Sequence, residues 1–173
     1  NNFDNACNVD VFFALSHGVH RGVLKSGKTD DRILFLNSLK ANTPNVKFDI
    51  YGVSKIQPIW ADHYFKTIAN AKMGLNLSRG EAIKYYSSDR ITQIVGNGLV
   101  CLIDERTNYN NFFSNNEMVF YKSINDLSEK ITKISSDEKL RKKIAKNGKL
   151  KYMKYFNSDL VSEYIIDKTL GIK

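Results

Sequence analysis

Residues 73–104 constrain the fold of this chain most strongly, because they contain two apolar strands on either side of a short helix. Residues 73–77 and 99–103 are each about one strand long, and neither alternates strictly between apolar and polar side chains. Such runs are typical of parallel strands that are covered on both faces. The segment therefore predicts a strand–helix–strand unit. Residues 96–98, which read GNG, predict the turn that ends the helix with left-handed residues.

The start of the helix inside this segment predicts an anion-binding site. Ser88 is a favourable N-cap residue, and Ser87 and Arg90 lie beside it. A helix N-terminus presents free N–H groups and a partial positive charge, so an anion such as phosphate is expected there. The alternative for Arg90 is a structural salt bridge to a carboxylate such as Asp104.

The rest of the chain alternates between strand and helix patterns. Residues 9–15 and 47–51 predict strands, and residues 30–40 and 58–70 predict helices. Later in the chain we expect a short helix, a short edge strand and three further helices, at residues 109–113, 118–121, 123–134, 137–155 and 158–171. The alternation is typical of a doubly wound parallel sheet, so we predict an α/β domain with at least four parallel strands and C-terminal helices. We expect residues 9–173 to form this single domain and residues 1–8 to be a linker or a cut end.

The composition is that of an ordinary globular domain. The chain has 173 residues, 42% of them hydrophobic and 25% charged, which is enough for one domain with a sizeable core. No apolar run approaches the roughly 20 residues that cross a bilayer, and no signal peptide opens the sequence, so we expect a soluble, cytoplasmic protein. The formal charge of +8 favours anionic partners without identifying them.

The cysteines and histidines predict neither a redox site nor a metal site. Cys7 and Cys101 have no CxxC spacing, so we expect small buried side chains rather than a disulfide or a catalytic thiol. His17 and His20 are three residues apart, but no nearby cysteine or further histidine completes a zinc shell. We therefore expect no metal ion.

One motif suggests a different class of protein. Residues 22–29 satisfy the P-loop spelling GxxxxGK[ST], and residues 99–104 resemble a Walker B strand. The first glycine of a P-loop normally follows its strand closely, whereas residues 16–21 separate the two here, which argues against this interpretation. A P-loop NTPase or kinase that uses Lys28 and Asp104 stays the alternative.

The helix predicted at residues 137–155 is strongly basic, with eight Lys or Arg side chains between residues 139 and 154. The simpler interpretation is a solvated face, with Lys142, Lys146 and Lys149 in water. A non-catalytic nucleotide- or nucleic-acid-binding module is the alternative function for this surface. We expect nucleic acid not to be a partner, and at most a weak, peripheral attraction to an anionic membrane.

Residues 87–104 resemble part of a known enzyme family. They read SSDRITQIVGNGLVCLID, follow the strand MGLNLSRG and precede NEMVFY, DLSEKI and RKKIAKNG. Together these segments resemble the C-terminal half of group 1 glycosyltransferases with the GT-B fold, and above all the branch grouped with spore-maturation-type glycosyltransferases. The resemblance covers about residues 11–156. Its most specific elements are the S-x-R helix start, the GNG turn and the apolar strand with an acidic end.

The resemblance implies a Rossmann-like, donor-binding domain, which is one half of a GT-B fold. In that family the corresponding domain binds a nucleotide-sugar donor, and a separate N-terminal domain holds the acceptor. We therefore expect a glycosyltransferase that uses a UDP- or GDP-type sugar, needs no cofactor, and transfers the sugar to a glycan, lipid or protein. Its acceptor-binding domain would be an N-terminal domain or a partner chain.

The resemblance also implies three groups of donor-binding residues. The pyrophosphate-binding residues are Gly18, Arg21, Lys28, Ser87, Ser88 and Arg90. The ribose- and base-binding residues are Gly52, Ser54, Lys55, Ile56 and Gln93. The sugar-side candidates are Arg79, Glu81 and Tyr85. The first group is physically coherent, because a diphosphate gains charge as the sugar leaves and fixed cations and amides stabilise that charge.

The sequence departs from the retaining family 4 enzymes at two positions. Those enzymes carry two glutamates separated by seven residues across this helix start, and the aligned residues here are Tyr85 and Gln93. Gln93 can hydrogen-bond a ribose hydroxyl but supplies no carboxylate, and Glu81 lies four residues before Tyr85. The sequence therefore assigns no catalytic residue and does not predict a retaining or inverting outcome.

Overall fold

A parallel sheet with helices on both faces forms the protein, and the computed structural model describes residues 1–15 and 30–172. The strands within these residues are β1 (Val9–Ala14), β2 (Phe48–Tyr51), β3 (Ala71–Asn76), β4 (Val100–Asp104) and β5 (Val119–Tyr121). The helices are α1 (Asp31–Asn42), α2 (Ala61–Ile68), α3 (Asp89–Gly96), α4 (Ile124–Ser136), α5 (Glu138–Phe156) and α6 (Ser158–Leu170). Three short 3₁₀ turns complete the described elements, at Asn2–Asp4, Glu105–Thr107 and Tyr109–Asn111.

All five described strands run parallel, in the order β2-β1-β3-β4-β5. Successive side chains of a strand point to opposite faces, so each central strand contributes to two cores. In β1, Val11 and Phe13 enter one core and Phe12 enters the other. In β4, Leu102 and Ile103 divide in the same way. Apolar and polar residues do not alternate strictly in these strands, because both faces of each strand are buried.

Helices cover both faces of the sheet. The apolar residues of α1 and α4 complete the core that contains Val11, and those of α2 and α3 complete the core that contains Phe12. Helix α5 contributes Ile144 to the first core and Tyr152 to the second. The predicted Rossmann-like α/β fold with C-terminal helices is confirmed.

A glycine in β3 allows a close approach of helix α3 to the sheet. A Cβ atom on Gly74 would lie 2.4 Å from Cγ1 of Ile94, so only glycine lets α3 lie directly on this strand. The predicted turn after α3 is correct in position, but only Gly98 in it has a left-handed backbone, with φ of +79°. Asn97 is right-handed, at φ of −83°, and Gly96 still belongs to the helix. This packing places the N-terminus of α3 beside the carboxyl end of β3.

The first residues of the chain are packed against the domain, which differs from the linker expected at residues 1–8. Asn2 is buried, and its side-chain amide donates a hydrogen bond to the carbonyl oxygen of Ala71 over 3.1 Å. The guanidinium of Arg141 is fully buried and donates to the carbonyl oxygen of Asn2 over 3.1 Å. A buried cation on α5 therefore holds the first turn in place.

The basic surface of α5 is largely exposed, as the sequence predicts. Lys142 and Lys146 are exposed, whereas Lys149 is half-buried and donates to the side-chain oxygen of Asn1 over 2.5 Å. Helix α6 buries none of its residues. Along residues 1–15 and 30–172, no helix combines the length and the apolar character needed to cross a bilayer.

Candidate functional site

The strand order creates a crevice at one edge of the sheet. The chain passes from β1 to β2 on one side and then to β3 on the other side of β1, so the connections diverge between β1 and β3. In open α/β sheets, ligands bind outside the carboxyl ends of strands at such a switch point. Leu15 follows β1 at this edge, and Leu77 follows β3. Gly18, Arg21 and Lys28 belong to residues 16–29, which lie outside the described residues.

A cleft of about 490 Å³ lies at this edge. Its described lining residues are Ala14, Leu15, Ile59, Trp60, Tyr64, Tyr86, Ser88, Asp89, Arg90 and Gln93. Ligand sites of small molecules commonly have this size, with apolar walls and a few polar groups. The structure therefore brings together three of the predicted donor-binding residues, Ser88, Arg90 and Gln93.

Arg90 is a half-buried cation in this cleft. Its guanidinium donates to the carbonyl oxygen of Leu77 over 3.1 Å, lies 3.5 Å from Oδ1 of Asn76, and rests 5.2 Å above the ring of Phe13. Burial lowers the pKa of Arg90, and the charge of Arg32 lowers it further. No carboxylate within the described residues lies at ion-pair distance from Arg90. An anion in the cleft would supply the missing countercharge.

Ser88 occupies the N-cap position of α3, but its hydroxyl does not cap the helix. It has the extended backbone of an N-cap residue, with φ of −97° and ψ of 152°, and makes no side-chain capping bond. The hydroxyl instead donates to Oδ1 of Asn76 over 2.8 Å. The first N–H groups of α3 therefore have no hydroxyl acceptor from Ser88, and the N–H of Ile91 donates to the carbonyl oxygen of Ser88 over 3.0 Å. A helix N-terminus with free N–H groups is a common anion-binding feature.

Ser87 contributes differently from its neighbour. Its side chain lies near Tyr109 and lowers the pKa of that tyrosine, which partly offsets the rise in pKa caused by burial. Ser87 is exposed and does not line the cleft. Only its backbone is therefore placed next to the helix start.

The loop after β2 contains three residues with left-handed backbones, Gly52, Ser54 and Lys55, at φ of +77°, +51° and +71°. A Cβ atom on Gly52 would lie 2.3 Å from the carbonyl oxygen of Leu15, so this glycine permits the close contact between the loop and the end of β1. Ser54, Lys55 and Ile56 are exposed, and they are absent from the described lining of the cleft.

The sugar-side candidates lie near a second, smaller cavity. This side cavity has a volume of about 200 Å³ and is lined by Asp31, Arg32, Phe35, Asn76, Leu77, Ser78, Gly80, Ala82, Ile83, Tyr86, Asp104, Arg106, Thr107 and Tyr121. Arg79 and Glu81 are exposed beside it without lining it. Tyr86 lines both the side cavity and the cleft. Residues 76–77 also line the side cavity, and the carbonyl oxygen of Leu77 accepts a hydrogen bond from Arg90 of the cleft.

Tyr85 is directed away from both cavities. Its hydroxyl accepts a hydrogen bond from the side chain of Asn111 over 2.7 Å, and its ring lies 5.2 Å from that of Phe112. Its backbone is left-handed, with φ of +60°, which is unusual for a bulky residue. The N–H of Tyr85 donates to the carbonyl oxygen of Thr107 over 2.8 Å, and this bond helps to hold the conformation.

Asp104 is engaged elsewhere, so the predicted alternative of a salt bridge to Arg90 is wrong. Both carboxylate oxygens of Asp104 bind Arg106, at 3.0 Å to Nε and 2.7 Å to a terminal nitrogen, and this pairing raises the pKa of Arg106. The sequence separation of two residues makes this local pair possible.

The P-loop spelling at residues 22–29 lies outside the described residues.

Sequence reasoning did not identify Asn76, Trp60 or Tyr86 as site residues. Asn76 is buried at the end of β3 and accepts from Ser88 and Arg90 with the same oxygen. A polar residue that interrupts an apolar strand at its carboxyl end is the signal that would have indicated it. Trp60 and Tyr86 give no comparable signal, because their place in the cleft depends on how the loops pack.

Acidic and metal-binding side chains do not cluster in the described part of the chain. Within residues 1–15 and 30–172, no three His, Cys, Asp or Glu side chains are close enough to hold a metal ion. Cys101 is fully buried, and burial raises the pKa of its thiol to about 12. This thiol is an apolar core side chain, as the sequence predicts.

Fold and cleft together define a doubly wound α/β domain with the start of helix α3 at its switch point. The family described as "Glycosyl transferase-like" matches residues 32–167, which is well over half of the chain. The protein belongs to this family. The predicted resemblance to a group 1 glycosyltransferase domain of the GT-B type is therefore confirmed.

Comparison with solved structures agrees with this fold. The crystal structure of TarM matches with a TM-score of 0.63 at 12% sequence identity, over 93% of this chain and 35% of that chain. At this identity the likeness shows the fold alone, and the chain spans about a third of the length of TarM. No curated protein matches the sequence.

Proposed function

We propose that the cleft binds the diphosphate group of a nucleoside-diphosphate sugar and that the domain is the donor-binding half of a glycosyltransferase. The observation that carries this proposal is the half-buried guanidinium of Arg90, whose hydrogen-bond partners are carbonyl oxygens. A cation of this kind beside an open helix N-terminus binds an anion through charge-assisted hydrogen bonds. Membership of the glycosyl transferase-like family supports a sugar nucleotide as the source of that anion.

The proposed chemistry follows from where charge develops. Sugar transfer breaks the bond between the anomeric carbon and a diphosphate oxygen, so negative charge grows on the leaving diphosphate. Arg90 and the first N–H groups of α3 are fixed in position, and they stabilise that charge without reorganising. Gly18, Arg21 and Lys28 are proposed to complete the same site from the segment after β1. No cofactor is required in this scheme, because the UDP- or GDP-type sugar is itself the substrate.

The two remaining parts of the donor are assigned on either side of the diphosphate. Gln93 lies about one turn inside α3 and lines the cleft, where its amide can hydrogen-bond a ribose hydroxyl. The sugar is proposed to lie towards the side cavity, where exposed Arg79 and Glu81 are the nearest predicted contacts. Tyr85 is bound to Asn111 and takes no direct part in this arrangement.

The acceptor is proposed to be a glycan, lipid or protein held by an N-terminal domain or a partner chain. This part of the proposal rests on the resemblance to two-domain enzymes, in which a separate N-terminal domain holds the acceptor. We further propose that the protein acts in the cytoplasm, with at most a weak peripheral contact between the exposed lysines of α5 and anionic lipid.

Calorimetric titration of UDP and GDP into the wild-type chain and Arg90→Ala tests the proposal. We expect the substitution to weaken binding by about 2 kcal/mol, which is about thirtyfold, because it removes a partly desolvated charge-assisted contact. The matched control is Lys146→Ala, which removes one positive charge from an exposed position on α5 and should leave the affinity unchanged.

Two results would contradict the proposed function. One is that neither nucleoside diphosphate binds the folded wild-type chain. The other is equal affinity for wild type and Arg90→Ala when circular dichroism shows the same fold for both. Arg90→Lys separates the effect of the charge from that of the guanidinium geometry. It keeps the positive charge but loses the planar fork, so its affinity should lie between those of wild type and Arg90→Ala.

A further inference from the structure

The cleft is lined by aromatic side chains as well as by the polar start of helix α3. Trp60 lines the cleft together with Ile59 and Tyr64, and 59% of its surface is exposed. A single exposed apolar side chain on a protein surface needs no explanation. The position of Trp60 needs one, because Trp60 lines the same cleft as Arg90, a cation without an ion-pair partner among residues 1–15 and 30–172.

The backbone around Trp60 is held firmly. Ile59 before it is buried, and the carbonyl oxygen of Trp60 accepts a hydrogen bond from the N–H of Tyr64 over 3.3 Å. Ala61 after it has a left-handed backbone, with φ of +44°, which is strained for a residue with a Cβ atom. Tyr64 in turn packs edge-on against Phe12, with ring centroids 5.6 Å apart. The indole therefore projects from a fixed base.

We propose that Trp60 is the stacking platform for the nucleobase of the bound nucleoside diphosphate. This inference rests on the proposed function, in which Arg90 and the start of α3 hold the diphosphate. A flat aromatic ring is matched by the π-face of a base, and stacking of this kind tolerates every base. The cleft volume of about 490 Å³ accommodates a ligand of this size.

The assignment changes where base recognition is expected. The sequence indicates residues 52–56 for the base, but Ser54, Lys55 and Ile56 do not line the cleft in its described part. Trp60 supplies the apolar contact area that those three residues lack there. Because stacking is sequence-tolerant, Trp60 raises the affinity for UDP and GDP alike, and a choice between them must come from hydrogen bonds to the base edges.

The chain contains a single tryptophan, so its indole fluorescence reports on this position directly. Wild-type protein is titrated with UDP, GDP and inorganic pyrophosphate, with indole fluorescence and calorimetry recorded in parallel. We expect both nucleotides to quench the fluorescence in step with binding. Inorganic pyrophosphate, which has no base, should bind near Arg90 and leave the fluorescence almost unchanged.

Substitutions separate stacking from general effects on the fold. Trp60→Ala should weaken UDP and GDP binding about tenfold and leave pyrophosphate binding unchanged, whereas Trp60→Phe should retain most of the affinity. Phe65→Ala is the matched control, because Phe65 is 58% exposed on α2, the helix that Trp60 precedes, and does not line the cleft. Equal melting temperatures show that each variant is folded.

The outcomes distinguish this inference from the proposed function. Nucleotide binding by calorimetry without quenching, or with full affinity in Trp60→Ala, overturns the stacking platform and leaves the diphosphate site intact. The absence of binding by both nucleotides and pyrophosphate overturns the proposed function, and the platform with it. Equal losses for nucleotides and pyrophosphate in Trp60→Ala would show that the residue supports the cleft rather than the base.

Discussion

Asn76 allows the countercharge argument to be tested without touching the arginine. Its Oδ1 atom accepts from the hydroxyl of Ser88 over 2.8 Å and lies 3.5 Å from the guanidinium of Arg90. Asn76→Asp keeps the size and both acceptor contacts, but it places a carboxylate beside the cation. If Arg90 binds an external anion, the carboxylate introduced at position 76 competes with that anion for the guanidinium.

The size of the effect follows from the distance. A unit charge pair at 3.5 Å has a Coulomb energy of about 5 kcal/mol at an effective dielectric constant of about 20. Desolvation of the buried carboxylate offsets much of this, which leaves a net pairing of roughly 1–3 kcal/mol. We therefore expect nucleoside diphosphate affinity to fall by about ten- to a hundredfold. The melting temperature should stay equal or rise, because Arg90 gains a partner in the folded state.

Calorimetric titration with UDP and GDP, together with thermal melting, measures both quantities. The control is Asn70→Asp, which makes the same change just before β3, at the opposite end of that strand. Asn70 accepts from the N–H of Asn8, and an aspartate preserves that bond. Undiminished affinity in Asn76→Asp, with the wild-type fold, would refute the idea that an empty anion site surrounds Arg90.

Three further predictions concern the scaffold and the alternative function. Gly52→Ala should lower the free energy of unfolding in urea by about 2 kcal/mol or more, because a Cβ would lie 2.3 Å from a carbonyl oxygen at φ of +77°. Gly80→Ala, at φ of +73° with open space around it, should lose only about 1 kcal/mol, and equal losses would contradict the steric argument. The hydrogen bond from Arg32 lowers the pKa of Asp30 below 3.8, so this pair stabilises the fold above that pH and ceases to do so as the pH falls through the folded-state pKa. Asp30→Asn should accordingly be less stable than wild type at pH 7 by roughly 1–3 kcal/mol, and denaturant melts at pH 3 should show a smaller difference. Lys28→Ala should weaken UDP binding only modestly in a glycosyltransferase domain, whereas loss of an ATPase activity in this variant would favour the P-loop alternative.

The strands and helices were predictable because their signals are local. The strands predicted at residues 73–77 and 99–103 are observed at Ala71–Asn76 and Val100–Asp104, since double burial in a parallel sheet leaves long apolar runs in the sequence. The cap of α4 is also local, because Ser123 accepts from the N–H of Asp126, three residues later. Such features depend on residues within one turn of each other.

The contacts that define the cleft and those that bury the first turn of the chain were not predictable, because they join distant segments. The hydroxyl of Ser88 prefers Asn76, twelve residues earlier, to the helix N–H groups it was expected to cap. The burial of Asn2 depends on Arg141 at the other end of the chain. Trp60 becomes a cleft residue only once β1 and α3 are placed beside it. The sequence motif located the helix start, and tertiary packing determines which of its side chains line the cleft.

The buried guanidinium of Arg141 also sets the smallest unit that should fold well. Its partners are the carbonyl oxygens of Asn2 and Asn5 and the carboxylate of Glu138, so the residues before β1 satisfy a cation inside the domain. A shortened chain that starts at Val9 would remove both carbonyl acceptors, and hydrogen bonds to a charged group contribute about 1.5–3 kcal/mol each. For expression and for fusion to other domains, the domain boundary therefore lies before its first strand.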